Sequence, residues 1–250
     1  MDWKGRQAST NVEDRRGGGG GGFRGRGGRG FKTVGGLGLG GIIIAVVVMF
    51  LGGDPSQVMN STSGNSGGSV SDNTNAPGKG RSAKEDEDAE FVKVVLKDTE
   101  DAWHKIFREQ LGREYEEPIL VLFTDEVESA CGEATASTGP FYCSGDQRLY
   151  IDLSFYDDLK NEFEAPGDFA MAYVVAHEVG HHVQYLLGKS TWVHQQEDRL
   201  SEVEFNKLSV KLELQADFYA GVWAHYAEKM KDVLDNGDIE EALNAANAIG

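Results

Sequence analysis

The chain has 250 residues and carries 24 basic against 41 acidic side chains, which gives a formal net charge of −17. An acidic body repels phosphate backbones, so nucleic-acid binding is not expected of the folded part. Since Cys131 and Cys143 are the two cysteines of the sequence, a four-cysteine zinc site is excluded within one chain.

The first 32 residues are rich in glycine and arginine, with an unbroken glycine run at 17–22. Such a segment has too little apolar surface to offset the entropy lost on ordering, which predicts a disordered tail over 1–32. Its Arg-Gly spacing is also typical of RNA-binding tails. That alternative predicts salt-sensitive RNA binding by residues 1–32 alone.

Residues 33–53 carry no charge and centre on an aliphatic run at 42–51. A helix of this length spans roughly 30 Å, the hydrocarbon thickness of a bilayer, so we predict one uncleaved transmembrane helix over 33–53. A core helix is the alternative, but the run lacks amphipathic periodicity. Basic residues precede the span and Asp54 follows it, which predicts a cytoplasmic amino terminus and an extracytoplasmic domain.

Residues 54–88 are rich in serine, asparagine, glycine and aspartate, which favours a flexible linker. The folded domain is predicted over 89–250. It begins with apolar residues at helical spacing over about 91–111, followed by Gly112 as a stop signal.

Two strands are predicted next, a buried one at 119–123 and an alternating one at 148–153. The second strand, ending near Asp152, is expected to bind substrate backbone as an edge strand. Further helices are predicted at about 168–187, at 201–234 with a possible break, and from Asp238, where Asp238 and Glu241 suggest a capping box. The predicted fold class is α+β, with a small sheet and helices that carry the site.

The segment between the two strands contains both cysteines. In an extracytoplasmic domain a disulfide between Cys131 and Cys143 is expected, and two unpaired buried thiols are the alternative.

The sequence His177-Glu178-x-x-His181 lies in the predicted helix at 168–187. Residues four apart lie one turn apart on the same helix face, so both imidazoles can bind one metal ion. Glu178 is placed to accept a proton from a water molecule that the metal has acidified. Core histidines without a ligand role are the alternative. Because the helix has an apolar lead-in, buried histidines there would need partners for their polar groups.

Zinc in a catalytic site takes three protein ligands and leaves one position open. Gln184 and Leu187 occupy the positions where a metzincin would have glycine and histidine, which excludes that class. Glu213 on the next helix is the predicted third ligand. Asp217, one turn further on, is predicted to accept a hydrogen bond from a ligand histidine. A pair of surface carboxylates is the alternative, although the neighbouring side chains are apolar.

Other side chains could stabilise the oxyanion formed during hydrolysis, and the sequence leaves the choice open. His182 is turned about 100° from His181, so a packing or hydrogen-bonding role is expected for it. The remaining candidates are His194, His225, Tyr173, Tyr185, Tyr219 and Tyr226.

The run at 176–184, Ala-His-Glu-Val-Gly-His-His-Val-Gln, together with 212–217 and 220–225, resembles the bacterial "putative neutral zinc metallopeptidase" family. The segments 131–132, 139–143 and 150–153 resemble it too, as does the Arg- and Gly-rich tail with one membrane span. The resemblance implies a gluzincin-like, zincin-type domain in which His177, His181 and Glu213 hold Zn²⁺ and Glu178 is the catalytic carboxylate. Family members usually continue past the position of Gly250 with a His-Gly-Ser/Thr segment, so the domain is expected to be C-terminally incomplete.

The sequence therefore predicts a membrane-anchored, zinc-dependent hydrolase of peptides or proteins. A non-hydrolytic zinc-binding scaffold for an envelope partner is the alternative, but a pure metal holder has no need of Glu178 as a general base. The cleavage preference and the oligomeric state are left open.

Overall fold

The computed structural model of the protein describes residues 1–17 and 82–249, which form a mixed α+β fold. The strands are β1 (Val12–Asp14), β2 (Ile119–Phe123), β3 (Glu126–Ser129), β4 (Gly132–Thr135), β5 (Phe141–Cys143) and β6 (Arg148–Asp152). The helices are α1 (Ala83–Ile106), α2 (Phe155–Asn161), α3 (Asp168–Leu186), α4 (Lys189–His194), α5 (Glu202–Lys231) and α6 (Asp238–Ile249). The predicted membrane span, the tail after residue 17 and residues 54–81 of the predicted linker lie outside the described residues.

The main sheet has four strands in the order β1-β2-β6-β5, while β3 and β4 form a separate hairpin. Strands β1, β2 and β6 run parallel, and β5 pairs antiparallel with β6. Strand β6 lies between two strands, and β5 pairs with its residues Arg148, Leu149 and Tyr150. The prediction that β6 is an edge strand for a substrate is therefore wrong for this part of the strand. Among the described residues, β5 pairs with β6 alone and forms the sheet edge on that side.

Residues 1–16 belong to the same compact unit as the chain from Ser82 onward. Strand β1 extends the sheet, and Arg6 lies 2.5 Å from the buried carboxylate of Asp98. Ser9 and Asn11 donate hydrogen bonds of 2.6 and 2.9 Å to the buried Glu100. The predicted disorder of 1–32 is therefore wrong for residues 1–16, because these residues are held by polar contacts to buried charges that apolar composition does not reveal.

The packing of residues 1–16 also bears on membrane topology. No helix within 1–17 or 82–249 meets the length and hydropathy that a bilayer crossing requires. A single crossing at 33–53 would place residues 1–16 and 82–249 on opposite sides of a membrane, yet both contribute to one sheet. The predicted combination of a cytoplasmic amino terminus and an extracytoplasmic domain is incompatible with this packing.

Helix α1 starts at Ala83, so residues 83–88 are helical and were wrongly assigned to the linker. Ser82 accepts a hydrogen bond from the Glu85 N–H, and the Glu85 side chain accepts one from the Ser82 N–H, which forms a capping box. The helix ends in a π-helical turn (Phe107–Leu111), and Gly112 has φ 62°, which confirms the predicted stop.

The later helices also match the predicted positions, with two differences. Helix α5 is continuous over 30 residues, without the break that the sequence allowed. Both carboxylates of the expected capping box at Asp238 bond elsewhere. Asp238 accepts a hydrogen bond from the Asp235 N–H three residues before it, and Glu241 accepts one from the Phe169 N–H across 72 residues.

Helix α3 occupies the centre of the domain and packs against α1, α5 and α6. Its apolar first half is buried, and so are the inward faces of β2 and β6. Because α3 is enclosed by neighbours over most of its length, its polar residues are positioned by the core. The side of its second half that faces α5 carries the site.

Candidate metal centre

Three side chains from two helices converge at one point. His177 and His181 of α3 have their Nε2 atoms 3.1 Å apart, and Glu213 Oε2 of α5 lies 3.4 and 3.3 Å from them. Ligand atoms at tetrahedral positions about 2.0–2.1 Å from zinc are separated from each other by roughly 3.3 Å. The separations therefore fit one tetrahedral zinc ion with a fourth position open. The exposed fraction of the side chain is 17 % for His177, 21 % for His181 and 45 % for Glu213.

The two helices approach closely at this point because Gly180 faces Ala216. A Cβ atom placed on Gly180 would lie 2.9 Å from the Ala216 carbonyl oxygen, closer than real contacts allow. On the α5 side of the contact, the small residues Ala216 and Ala220 are buried. Gly221 faces open space instead, and Gly180, the glycine that sets the spacing, was missed.

Each ligand histidine has a partner at its other ring nitrogen. Asp217 lies 2.8 Å from His177 Nδ1, and it also accepts a hydrogen bond of 2.5 Å from the Tyr173 hydroxyl. Gln184 Oε1 lies 3.0 Å from His181 Nδ1. Partners at Nδ1 leave both Nε2 atoms directed at the metal position. The sequence predicts this role for Asp217, but it suggests Tyr173 for the oxyanion and indicates no role for Gln184.

The histidines and carboxylates of the site shift one another's pKa values. Burial alone would lower the pKa of His177, but the hydrogen bonds to Asp217 and Glu213 outweigh it and raise that pKa to about 10. Burial would raise the pKa of Glu213, and its bonds to His177 and His181 bring it far below the usual range instead. A divalent cation bound by these groups would displace protons from the histidines, so metal binding would release protons.

Glu178 is buried beside the three convergent groups. Burial raises its pKa, while the neighbouring His181 and His177 and a hydrogen bond from the Tyr142 backbone N–H act in the opposite direction. Tyr142 lies in strand β5, so the edge strand touches the glutamate directly. A carboxylate in this position can exchange a proton with a water molecule at the open side of the site.

His182 links the edge strand to α3 from inside the core. It is fully buried, with Nδ1 3.0 Å from the Tyr142 hydroxyl and Nε2 2.7 Å from the Glu116 carbonyl oxygen. Burial lowers its pKa to about 4, so the ring is neutral at physiological pH. The predicted packing and hydrogen-bonding role of His182 is confirmed.

The two cysteines form a disulfide, which joins the β3–β4 turn at Cys131 to the end of strand β5 at Cys143. Just beyond lies a cleft of about 350 Å³ between Ser144 and helix α4. His194 lines this cleft and its Nδ1 lies 2.8 Å from the Ser190 carbonyl oxygen.

The other oxyanion candidates lie in different surroundings. His225 is exposed beside Tyr226, and Tyr226 in turn accepts a hydrogen bond from Gln110. Tyr219 packs against Trp103, and Tyr185 lies near Tyr142.

Two imidazoles and one carboxylate, with a buried glutamate beside them, make up a site of the composition that zinc prefers. The chain belongs to the family described as "Putative neutral zinc metallopeptidase", whose model matches residues 1–250.

Similar proteins occur in bacteria. The uncharacterized protein YpfJ of Escherichia coli K12 is 46% identical over 253 residues, which cover 100% of this chain and 83% of that protein. The uncharacterized protein Rv2575 of Mycobacterium tuberculosis H37Rv is 42% identical over 146 residues, which cover 54% of this chain and 48% of that protein. No solved structure matches the chain.

Proposed function

We propose that the protein is a zinc-dependent peptide hydrolase in which His177, His181 and Glu213 hold the metal and Glu178 acts as the general base. One observation carries the proposal. The ligand atoms of the three side chains lie 3.1 to 3.4 Å apart on two helices, at the separations that tetrahedral zinc requires. Membership of a zinc metallopeptidase family supports the same class of reaction.

A zinc ion in this site would polarise the scissile carbonyl group and acidify a water molecule. Glu178 takes a proton from that water molecule while the water oxygen adds to the carbonyl carbon. When the carbon–nitrogen bond breaks, Glu178 passes the proton to the leaving amine, so the proton is conserved over the reaction. Asp217 holds the His177 ring in the tautomer that leaves Nε2 free for the metal.

Strand β5 supports a peptide or protein as the substrate. It is the edge of the sheet on the side of the site, and its Tyr142 N–H contacts Glu178. An extended peptide that added to this edge would run past the general base. In this proposal the edge strand beside the site is β5 rather than the strand that ends near Asp152.

The test uses the full chain loaded with zinc and a peptide library. Cleavage should stop when a chelator is added and return with zinc. Glu178→Gln should keep zinc but lose cleavage by several orders of magnitude, whereas Glu202→Gln, a change at an exposed glutamate of α5, should cleave like the wild type. If Glu178→Gln cleaves as fast as the wild type, the mechanism is wrong. A zinc-loaded wild type without chelator-sensitive cleavage would favour the non-hydrolytic scaffold.

Membrane attachment through residues 33–53 is a separate proposal that rests on the sequence alone. Any such attachment must leave residues 1–16 and 82–249 on the same side of the membrane, because strand β1 of the first segment pairs with strand β2 of the second. A protease-protection experiment on vesicles would test this, since antibodies to the two parts should report the same sidedness. Opposite sidedness would show that β1 does not pair with β2 in the membrane-bound protein.

A further inference from the structure

The side chain of Gln184 lies between the two helices of the metal centre and is fully buried. Its Oε1 is 3.0 Å from His181 Nδ1, and its Nε2 donates to the Leu212 carbonyl oxygen at 2.7 Å and lies 3.2 Å from Gln215 Oε1. A buried amide with partners on every side has one orientation, since a misplaced polar group there would be left unpaired.

The orientation of the amide follows from its partners. A backbone carbonyl oxygen only accepts hydrogen bonds, so the group facing Leu212 must be the Nε2 donor and the group facing His181 must be Oε1. An amide oxygen in turn only accepts, so His181 must carry its proton on Nδ1. His181 Nε2 then faces Glu213 and His177, where the metal would lie, and is the ring nitrogen that can bind it.

The same amide also acts on the third ligand. Leu212 is the residue before Glu213, so the hydrogen bond from Gln184 fixes the backbone of α5 next to the residue that supplies the carboxylate ligand. One side chain of α3 therefore determines both the tautomer of His181 and the position of α5 relative to that ring. His177 has a different support, because its Nδ1 lies against the charged Asp217.

We infer that Gln184 is a positioning residue of the metal centre, which fixes His181 as an Nε2 ligand and holds the backbone beside Glu213 in register with it. The inference rests on the proposed function only in that the three ligands bind zinc. It does not require that the protein cleave peptides. Loss of such a positioning partner typically weakens metal binding by about 10–100-fold.

The experiment measures zinc affinity of the full chain by competition with a chelator. Gln184→Met keeps the length of the side chain but removes both hydrogen bonds, and we expect affinity to fall by about 10–100-fold. Gln184→Glu separates the two contacts, because it keeps an acceptor for His181 Nδ1 but loses the donor to the Leu212 carbonyl oxygen, so its affinity should lie between that of Gln184→Met and the wild type. Gln215→Met is the matched control, because Gln215 contacts Gln184 but no ligand, and its affinity should stay within about threefold of the wild type.

Nuclear magnetic resonance of histidine-labelled, zinc-loaded protein provides a readout that a general loss of packing would not reproduce. The wild type should show Nδ1–H signals for both His177 and His181. Gln184→Met should lose or broaden only the His181 signal, with the His177 signal as internal control.

Zinc affinity of Gln184→Met within threefold of the wild type would overturn the inference. If that variant fails to fold, the wild-type spectrum decides, because a zinc-loaded protein without an Nδ1–H at His181 contradicts the inference. A wild type that binds no zinc would instead overturn the proposed function, and the inference with it. Zinc binding without peptide cleavage would overturn the hydrolase proposal and leave the role of Gln184 intact.

Discussion

Asp217 Oδ1 lies 2.8 Å from His177 Nδ1, although 40 residues separate the two in the chain. The same oxygen accepts the hydroxyl hydrogen of Tyr173, which lies one turn before His177 on α3. A carboxylate behind a ligand imidazole fixes the ring and increases its basicity, so the contact links the packing of α3 on α5 to the strength of the metal site.

Replacing Asp217 with asparagine should weaken zinc binding by about 10–100-fold, because the charge that supports the His177 ring is lost. Chelator competition on the full chain measures the change. Glu202→Gln, at the exposed start of the same helix, is the control and should bind zinc like the wild type. Equal affinities of Asp217→Asn and Glu202→Gln would contradict the assigned role of Asp217.

Gly180→Ala should destabilise the protein by about 1–3 kcal/mol, because the added methyl group would meet the Ala216 backbone and push α3 and α5 apart. The same change at Gly221 meets open space, and there the higher helix propensity of alanine should stabilise by about 0.5–1 kcal/mol. Urea denaturation of the zinc-free proteins gives both values. If the two variants shift stability in the same direction, the close approach at Gly180 is not what limits the helix spacing.

Arg6→Met should destabilise the fold by about 1–3 kcal/mol, because it leaves the buried Asp98 with Lys231 as its remaining charged partner. Lys4→Met is the matched control in the same segment, since its ion pair with Glu87 is exposed and should contribute nothing measurable. Thermal unfolding of the two variants separates them. Similar melting temperatures would indicate that residues 1–16 contribute little to the domain.

Stability should depend on pH through the Met1 ammonium, which lies 3.1 Å from both Asp168 and Asp235. Burial would lower its pKa, but the surrounding carboxylates raise it to about 10 from 8.0. Because the folded-state pKa is the higher one, the stabilisation is complete below pH 8 and disappears as pH rises through 10.

Asp168→Asn removes one of those carboxylates and should reduce the loss of stability between pH 8 and 10. Urea unfolding of protein with a free Met1 amine, compared at each pH, measures the difference from the wild type. An identical pH dependence in the two proteins would contradict the role of the ammonium.

The sequence by itself determined the half of the centre that lies on α3. The four-residue spacing from His177 to His181 places both imidazoles on one face of any α-helix, and the apolar lead-in predicts that the helix is buried. Strands β2 and β6 and most ends of the long helices followed in the same way from local periodicity and stop signals, as at Gly112. Glu213 and Asp217 could be selected because their spacing repeats this pattern on a second helix.

Only the tertiary structure decided which groups support those ligands. Gln184 contacts Leu212 across 28 residues, and Arg6 contacts Asp98 across 92, so neither pairing leaves a periodic trace in the sequence. Residues 1–16 were predicted to be disordered because they hold few apolar side chains. They are ordered because α1 carries buried carboxylates, Asp98 and Glu100, that need polar partners. Local spacing thus specified the His177–His181 pair, whereas the burial of charges brought distant segments together.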